Sequence, residues 1–166
     1  MKIKTLFLTL LLGGLAANSP AAENSFFNMN DFSVDGFGFY GSHDKGGADR
    51  DAWGLGIGAN YFFNKYFGVG ADSYADAFES PYLINFSGFA RYPISDIIAP
   101  YAFTGFGRQW DHAAQWTGHI GLGAEAPLPL LKLFQKQTAV FVDWRHVLAD
   151  RTRDYEVVRF GFRLHF

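Results

Sequence analysis

The chain has 166 residues, with 14 Lys+Arg against 16 Asp+Glu, no Cys, 19 Phe and 19 Gly. That is enough chain for one domain, with no basic excess to attract nucleic acid and no disulfide framework. Glycine this dense weakens local structure, so something other than local propensity must hold the fold.

Residues 1–21 read as a cleavable signal peptide: Lys2 and Lys4, an apolar run from Leu6 to Ala17, then the small residues of Ser19-Pro20-Ala21, with cleavage after Ala22 as a near alternative. The run is too short and poorly flanked for a membrane-spanning helix. Residues 1–22 hold two Lys and no acid, so the mature chain carries a net charge of −4. Residues 22–166 are expected to form one domain.

That domain alternates with period two almost throughout, the mark of strands with two unlike faces. In FSVDGFGFYG, Phe32 and Val34 share one parity and Phe37 and Phe39 the other, so a bulge near Gly36 is expected. In WGLGIGANYF, Trp53, Leu55, Ile57, Ala59 and Tyr61 oppose Gly54, Gly56, Gly58 and Asn60. A tight link at Asn64-Lys65 leads to Phe67, Val69, Ala71 and Ser73 against Gly68, Gly70, Asp72 and Tyr74. Tyr82, Ile84, Phe86, Gly88, Ala90 and Tyr92 then oppose Asn85, Ser87, Phe89 and Arg91, and Pro93 ends that strand. Next, Tyr101 and Phe103 are set against Thr104 and Arg108, and Trp116, Ile120, Leu122 and Ala124 against Thr117, His119, Gly121, Gly123 and Glu125. PLPLLKLFQKQ breaks the pattern and reads as an apolar loop or one helical turn. Val140, Val142 and Trp144 oppose Phe141, Asp143 and Arg145; the closing strand sets Val158, Phe160, Phe162, Leu164 and Phe166 against Arg159, Gly161, Arg163 and His165.

Eight strands of about ten residues, joined by short links, predict an all-β, antiparallel up-and-down barrel. A soluble barrel alternates too, and three features choose the membrane form. Lys45, Lys65, Lys132 and Lys136 all fall in predicted links, whereas a wall facing water would carry lysine along its strands. The polar face instead carries Arg91, Arg108, Arg145, Arg159 and Arg163, with Asp72, Glu125 and Asp143 as partners and His119 beside them, a set suited to an enclosed interior. Aromatics gather at both strand ends: Phe62, Phe63, Tyr66, Phe67, Tyr92 and Tyr101 at one, Trp53, Tyr74, Phe78, Tyr82, Trp110, Trp116 and Tyr155 at the other. The expectation is a transmembrane barrel with its apolar face in lipid and its lumen plugged by side chains.

With NYFFNKYFGVGAD, ARYPI then APYAFTGFG, WTGHIGLGAE, AVFVDWRHVL and the closing strand in this order, the chain resembles the small eight-stranded outer-membrane barrels of Gram-negative bacteria. These include OmpX-like and OmpA-like barrels and the opacity-type surface proteins called porin-family. The resemblance implies a place in the bacterial outer membrane as a monomer, in contact with its lipids and lipopolysaccharide, without a cofactor. It implies that Val158, Phe160, Phe162, Leu164 and Phe166 are the signal read by the barrel-assembly machinery, after escort by periplasmic chaperones. It also implies long outer loops, from which this chain departs. Its outer links near His43–Asp51, Ala75–Pro81, Asp111–Gln115 and Leu148–Asp154 are short, and its longest link, Pro127–Gln137, falls on the periplasmic side. No domain follows the last strand, so no peptidoglycan tether is expected.

Some such barrels are lipid A acyltransferases or deacylases with a rim His, Ser and acid. His43 stands between Ser42 and Asp44, but neighbours in a strand point to opposite faces. His112 has no Ser beside it, and His146 lacks the Ser-Asn that follows the deacylases' His. No metal-ligand spacing or phosphate-binding loop stands out. The reading is a structural or surface-interaction protein without catalysis; a lipid A-modifying enzyme and a narrow porin-like channel are the alternatives.

Overall fold

The computed structural model describes residues 26–27, 30–45, 48–76, 82–110, 114–133, 136–149 and 154–166, with the backbone alone described over 42–51 and at 76 and 132. The expected signal peptide, Phe78, Asp111 and His112 and the side chain of His43 lie outside this description.

Eight strands follow in order: β1 (Asp31–Lys45), β2 (Ala48–Phe62), β3 (Phe67–Asp76), β4 (Tyr82–Arg91), β5 (Ala99–Trp110), β6 (Ala114–Leu133), β7 (Lys136–Ala149) and β8 (Tyr155–His165). Each pairs with the next, and β8 returns to β1, closing an antiparallel barrel. Closure leaves no edge, the condition for a sheet in hydrocarbon. An even strand number puts both chain ends at one mouth, the one bearing Asp31 and His165, which is the periplasmic end in the expected orientation. There Asn64 makes the β2–β3 turn, its Oδ1 accepting hydrogen bonds from the backbone N–H groups of Tyr66 and Phe67 at 2.8 Å each.

The two faces are inverted relative to a soluble protein. Leu55 is 74% exposed and Ile57 70%, whereas Glu125 and Arg145 are 0% exposed. In water such a wall would forfeit the transfer free energy of its whole apolar surface; against acyl chains it forfeits none. Outward aromatics form two belts: Phe32, Tyr61, Phe63, Tyr92 and Phe166 at the periplasmic end, Tyr40, Trp53, Tyr82, Trp110 and Trp116 at the other.

Several expectations need correction. The β1 register with β2 and β8 is unbroken, so there is no bulge at Gly36: Phe32 and Val34 face out, and Phe37 and Phe39 face the lumen. In β5 the faces are reversed from expectation. Tyr101 and Phe103 point inward, while Thr104, Phe106 and Arg108 point outward. Phe62 and Tyr74 are lumen residues as well, and Tyr155 packs against the lumen cluster of Phe37, Phe39, Tyr74, Leu83, Phe141, Val147 and Val157. The cause is space. A Cβ at Gly56 would overlap the Phe37 ring, and one at Gly121 the Phe103 ring. Inward glycine therefore makes room for inward aromatic rings from the neighbouring strand.

The described residues of Pro127–Gln137 are strand, not loop or helix. β6 runs on to Leu133 and β7 begins at Lys136, paired with each other, with the register shifting between Pro127 and Lys132. That irregularity accommodates two prolines that a regular ladder would not. Similarly, β1 and β2 run on to Lys45 and Ala48, so most of the expected first outer link is strand. The lysines accordingly sit at strand ends as well as in links: Lys45 ends β1, Lys136 opens β7, Lys132 is the penultimate residue of β6, and Lys65 lies in a turn.

Candidate functional site

The lumen concentrates the chain's chemistry. At the periplasmic end, Asp31 meets His165 Nδ1 at 2.8 Å and accepts from Arg91 Nη1 at 3.2 Å. Arg91 Nη1 also donates to Glu125 Oε1 at 2.9 Å, and the other Glu125 oxygen takes a hydrogen bond from Arg163. Arg163 grips Asp35 with both arms of its fork, at 2.8 and 2.9 Å, and Asn60 donates to the same carboxylate at 2.8 Å. One layer further in, Arg159 grips Asp143 at 2.7 and 2.8 Å and reaches Asp72 at 3.0 Å. Arg145 grips Asp72 at 3.2 and 2.7 Å, and Asn85 donates to Asp72 at 2.9 Å. Tyr101 ties the layers together: its hydroxyl donates to Asp143 at 2.9 Å, and Arg163 lies 5.7 Å from its ring.

Planar guanidinium groups suit this site because each serves two acceptors and stacks on a ring. Arg91 lies 3.7 Å over Phe62, Arg159 5.0 Å over Phe37, and Arg145 5.2 Å over Phe103. Burying ions is costly unless every one is paired, and here each of the five carboxylates has at least one guanidinium. The periplasmic mouth is covered by Phe27, which is 1% exposed, and by Phe26, whose ring lies 4.6 Å from that of His165.

The extracellular end of the lumen differs. It is lined by Leu83, Val147, Val157, Gln109, Gln115, Thr117 and Tyr155, none of them charged. The Tyr155 hydroxyl donates to Gln109 Oε1 at 3.3 Å.

Of the residues expected in the lumen, Asp72, Arg91, His119, Glu125, Asp143, Arg145, Arg159 and Arg163 all face it and are buried. Arg108 does not. It lies on the outer wall, 5.8 Å from the Trp110 ring and 5.1 Å from the Trp116 ring, because the two faces of β5 are the reverse of those expected. Sequence reasoning missed Asp31 and Asp35 as lumen acids. Their parity with Ser33 on one face of β1 was the available signal. It also missed Tyr101, whose hydroxyl is needed inside.

The histidines divide between the two faces. His119 Nε2 shares a hydrogen bond with the Ser87 hydroxyl at 2.8 Å, but its Nδ1 has no partner among the described residues. A nucleophilic Ser–His pair needs an acid holding that second nitrogen, and this pair is sealed inside the lumen. His146 is on the outer wall near the extracellular rim, 3.7 Å from Glu156 and 4.0 Å from Asp154, stacked on Trp144. Val158, Phe160, Phe162, Leu164 and Phe166 form one outward stripe of β8 and its end, and the Phe166 N–H donates to the Phe32 carbonyl at 2.9 Å.

Comparison with known proteins bears on the whole barrel. No curated protein sequence matches this chain. The N-terminal β-barrel domain of Pseudomonas aeruginosa OprF superposes with a TM-score of 0.59 at 13% identity, covering 84% of this chain and 99% of that one. Ail, the attachment invasion locus protein of Yersinia pestis, gives 0.59 at 12% identity, with 83% and 99% covered. Neisserial surface protein A gives 0.53 at 16% identity, with 81% and 97% covered. At these identities the likeness is one of fold. The family model described as outer membrane protein beta-barrel domain matches residues 7–166. With its apolar wall turned outward and its ions enclosed, the chain belongs to that family and is a protein of the bacterial outer membrane.

Proposed function

We propose that this is a structural or surface-interaction protein without catalytic activity, a monomer whose lumen is a packed core rather than a passage. The observation that carries the reading is the complete burial of Glu125 and Arg145, both 0% exposed although both face the lumen. Side chains that face the lumen yet exclude solvent support a filled interior over a water path. The protein then acts through its outer wall and rims, in contact with outer-membrane lipids and lipopolysaccharide. The lumen network of Asp72, Arg91, His119, Glu125, Asp143, Arg145, Arg159 and Arg163 serves as the plug.

The test is conductance across planar bilayers holding the folded protein. The expected result is a baseline without discrete steps; reproducible steps would establish the narrow channel instead. The enzyme alternative, a rim histidine acting on lipid A, predicts a change in lipid A mass lost in His43→Ala, His112→Ala or His146→Ala. The expected result is unmodified lipid A with the wild-type protein.

In this reading Val158, Phe160, Phe162, Leu164 and Phe166 are what the barrel-assembly machinery recognises, with periplasmic chaperones delivering the chain. Removing Phe166 should then impair insertion in cells more than folding in detergent. Normal insertion of the shortened chain would refute it.

A further inference from the structure

The outer wall carries one feature that a plugged barrel in lipid does not require. Arg108 faces out among apolar neighbours. Ile84 and Trp116 flank it across the sheet, and Phe106 and Trp110 lie two residues away along β5. Its Nε is buried without a hydrogen-bond partner, and no described carboxylate pairs with it. A cation on a lipid-facing wall is tolerated near the headgroups, where it finds water or an anion. The two tryptophans restrain the guanidinium plane by stacking beside it rather than supplying a counter-charge.

A groove opens lower on the same wall, with Phe106 between it and Arg108. Ala59, Ala71, Phe86 and Phe106 lie in one continuous row across β2 to β5, and Arg108 is the next outward-facing residue of β5 toward the rim. Ala59, Ala71 and Gly88 lie on the floor of this shallow groove of about 520 Å³, which is almost wholly apolar. It is walled on one side by Phe86 and Phe106, whose ring centroids are 5.8 Å apart, and reaches Phe32 and Tyr61 of the periplasmic belt. A strand rises about 3.3 Å per residue, so the guanidinium-bearing position is about 7 Å along β5 from Phe106. A cation at headgroup level above an apolar trough matches a lipid: phosphate above, acyl chain below.

We propose that Arg108, Trp110, Trp116 and the Ala59–Ala71–Gly88 groove form a specific seat for one phosphorylated glycolipid of the outer leaflet, the lipid A part of lipopolysaccharide. A lipid A phosphate pairs with the Arg108 guanidinium, which presents parallel N–H donors to phosphate oxygens. One acyl chain fills the groove. Position favours this lipid, because Arg108 stands at the extracellular end of β5, in the leaflet that lipopolysaccharide occupies. The wall is also asymmetric. On β7 and β8, His146 and Trp144 surround Glu156, whose side chain is 59% exposed and whose charge would repel a phosphate. The seat is therefore one-sided. It rests on the outer-membrane location and not on the closed lumen, so a conducting barrel would leave it standing.

The test is lipid retention by the folded full-length barrel in micelles, read by native mass spectrometry. The probes are diphosphorylated lipid A, its dephosphorylated form and phosphatidylglycerol. Arg108→Gln should lower retention of diphosphorylated lipid A about fivefold, the scale of one Arg near an anionic membrane surface. Dephosphorylated lipid A should bind the wild type as weakly as lipid A binds this variant. Gly88→Phe, which fills the trough, should weaken both forms of lipid A, and Glu156→Gln should weaken neither. If Gly88→Phe fails to shift in heat-modifiable gel mobility, Ala71→Leu replaces it. Equal retention by wild type and Arg108→Gln, or of the phosphorylated and dephosphorylated forms, would overturn the seat. Phosphatidylglycerol retained as strongly as lipid A would overturn the choice of glycolipid.

Discussion

The two ends of the lumen are built from different materials. The periplasmic half is held by Asp31, Asp35, Glu125, Arg91 and Arg163. The extracellular end is closed by Leu83, Val147, Val157 and neutral polar groups. An apolar cluster is forgiving: it loses stability in proportion to the contacts removed. An ion-pair network is not, because removing one member strands its partners in a low-dielectric interior. Conformational definition therefore resides in the periplasmic half, while the extracellular end can exchange one apolar residue for another of similar volume.

That contrast can be broken in a graded way by unfolding the micelle-folded barrel in urea. Arg163→Met leaves Asp35 without its two-armed partner and Glu125 with only Arg91, and should cost about 3–5 kcal/mol. A wild-type midpoint would show that the network is dispensable. Leu83→Ala at the other end should cost about 2–3 kcal/mol through a cavity, and Leu83→Met much less. If Met were as damaging as Ala, the extracellular cluster would be as exacting as the ion pairs. Gly56→Val forces the Phe37 ring aside and should cost about 1–2 kcal/mol. It should be partly rescued by Phe37→Leu in a double-mutant cycle. Glu156→Gln alters a charge that is half exposed on the outer wall and should change stability by less than about 0.5 kcal/mol. An effect as large as that of Arg163→Met would mean that inner and outer charges are not energetically distinct.

Most of the barrel was legible because polarity alternates cleanly in β2, β3, β4, β6, β7 and β8. The failures share one cause. The rule that apolar residues face lipid breaks down where an aromatic ring fills space left by glycine inside. In β1, Phe37 and Phe39 follow the parity of Asp31, Ser33 and Asp35, but their character suggested the other face. In β5, Tyr101 and Phe103 share their parity with Gly105 and Gly107, the same association of glycine with the inward face seen in β2. Weighing glycine there would have placed Arg108 on the outer wall. The β6–β7 hairpin was hidden by Pro127 and Pro129, since a local rule that prolines end strands does not foresee a register shift that absorbs them. Which arginine grips which acid depends on the stagger of the strands around the barrel, which no single strand encodes.

The seam between β1 and β8 has a consequence for the order of events in folding. Asp35–Arg163 and Asp31–His165 join residues 128 and 134 positions apart. Until the last strand docks on the first, Asp35 lacks the two-armed grip of Arg163 and Asp31 lacks His165. A barrel still open at this seam would leave those groups to water and its strand edges unpaired, a form unsuited to hydrocarbon. Closure expels that water and satisfies both sheet edges together, and contacts of such long sequence separation form slowly. Closure of this one seam thus joins the burial of ions inside to the fitness of the wall for lipid outside.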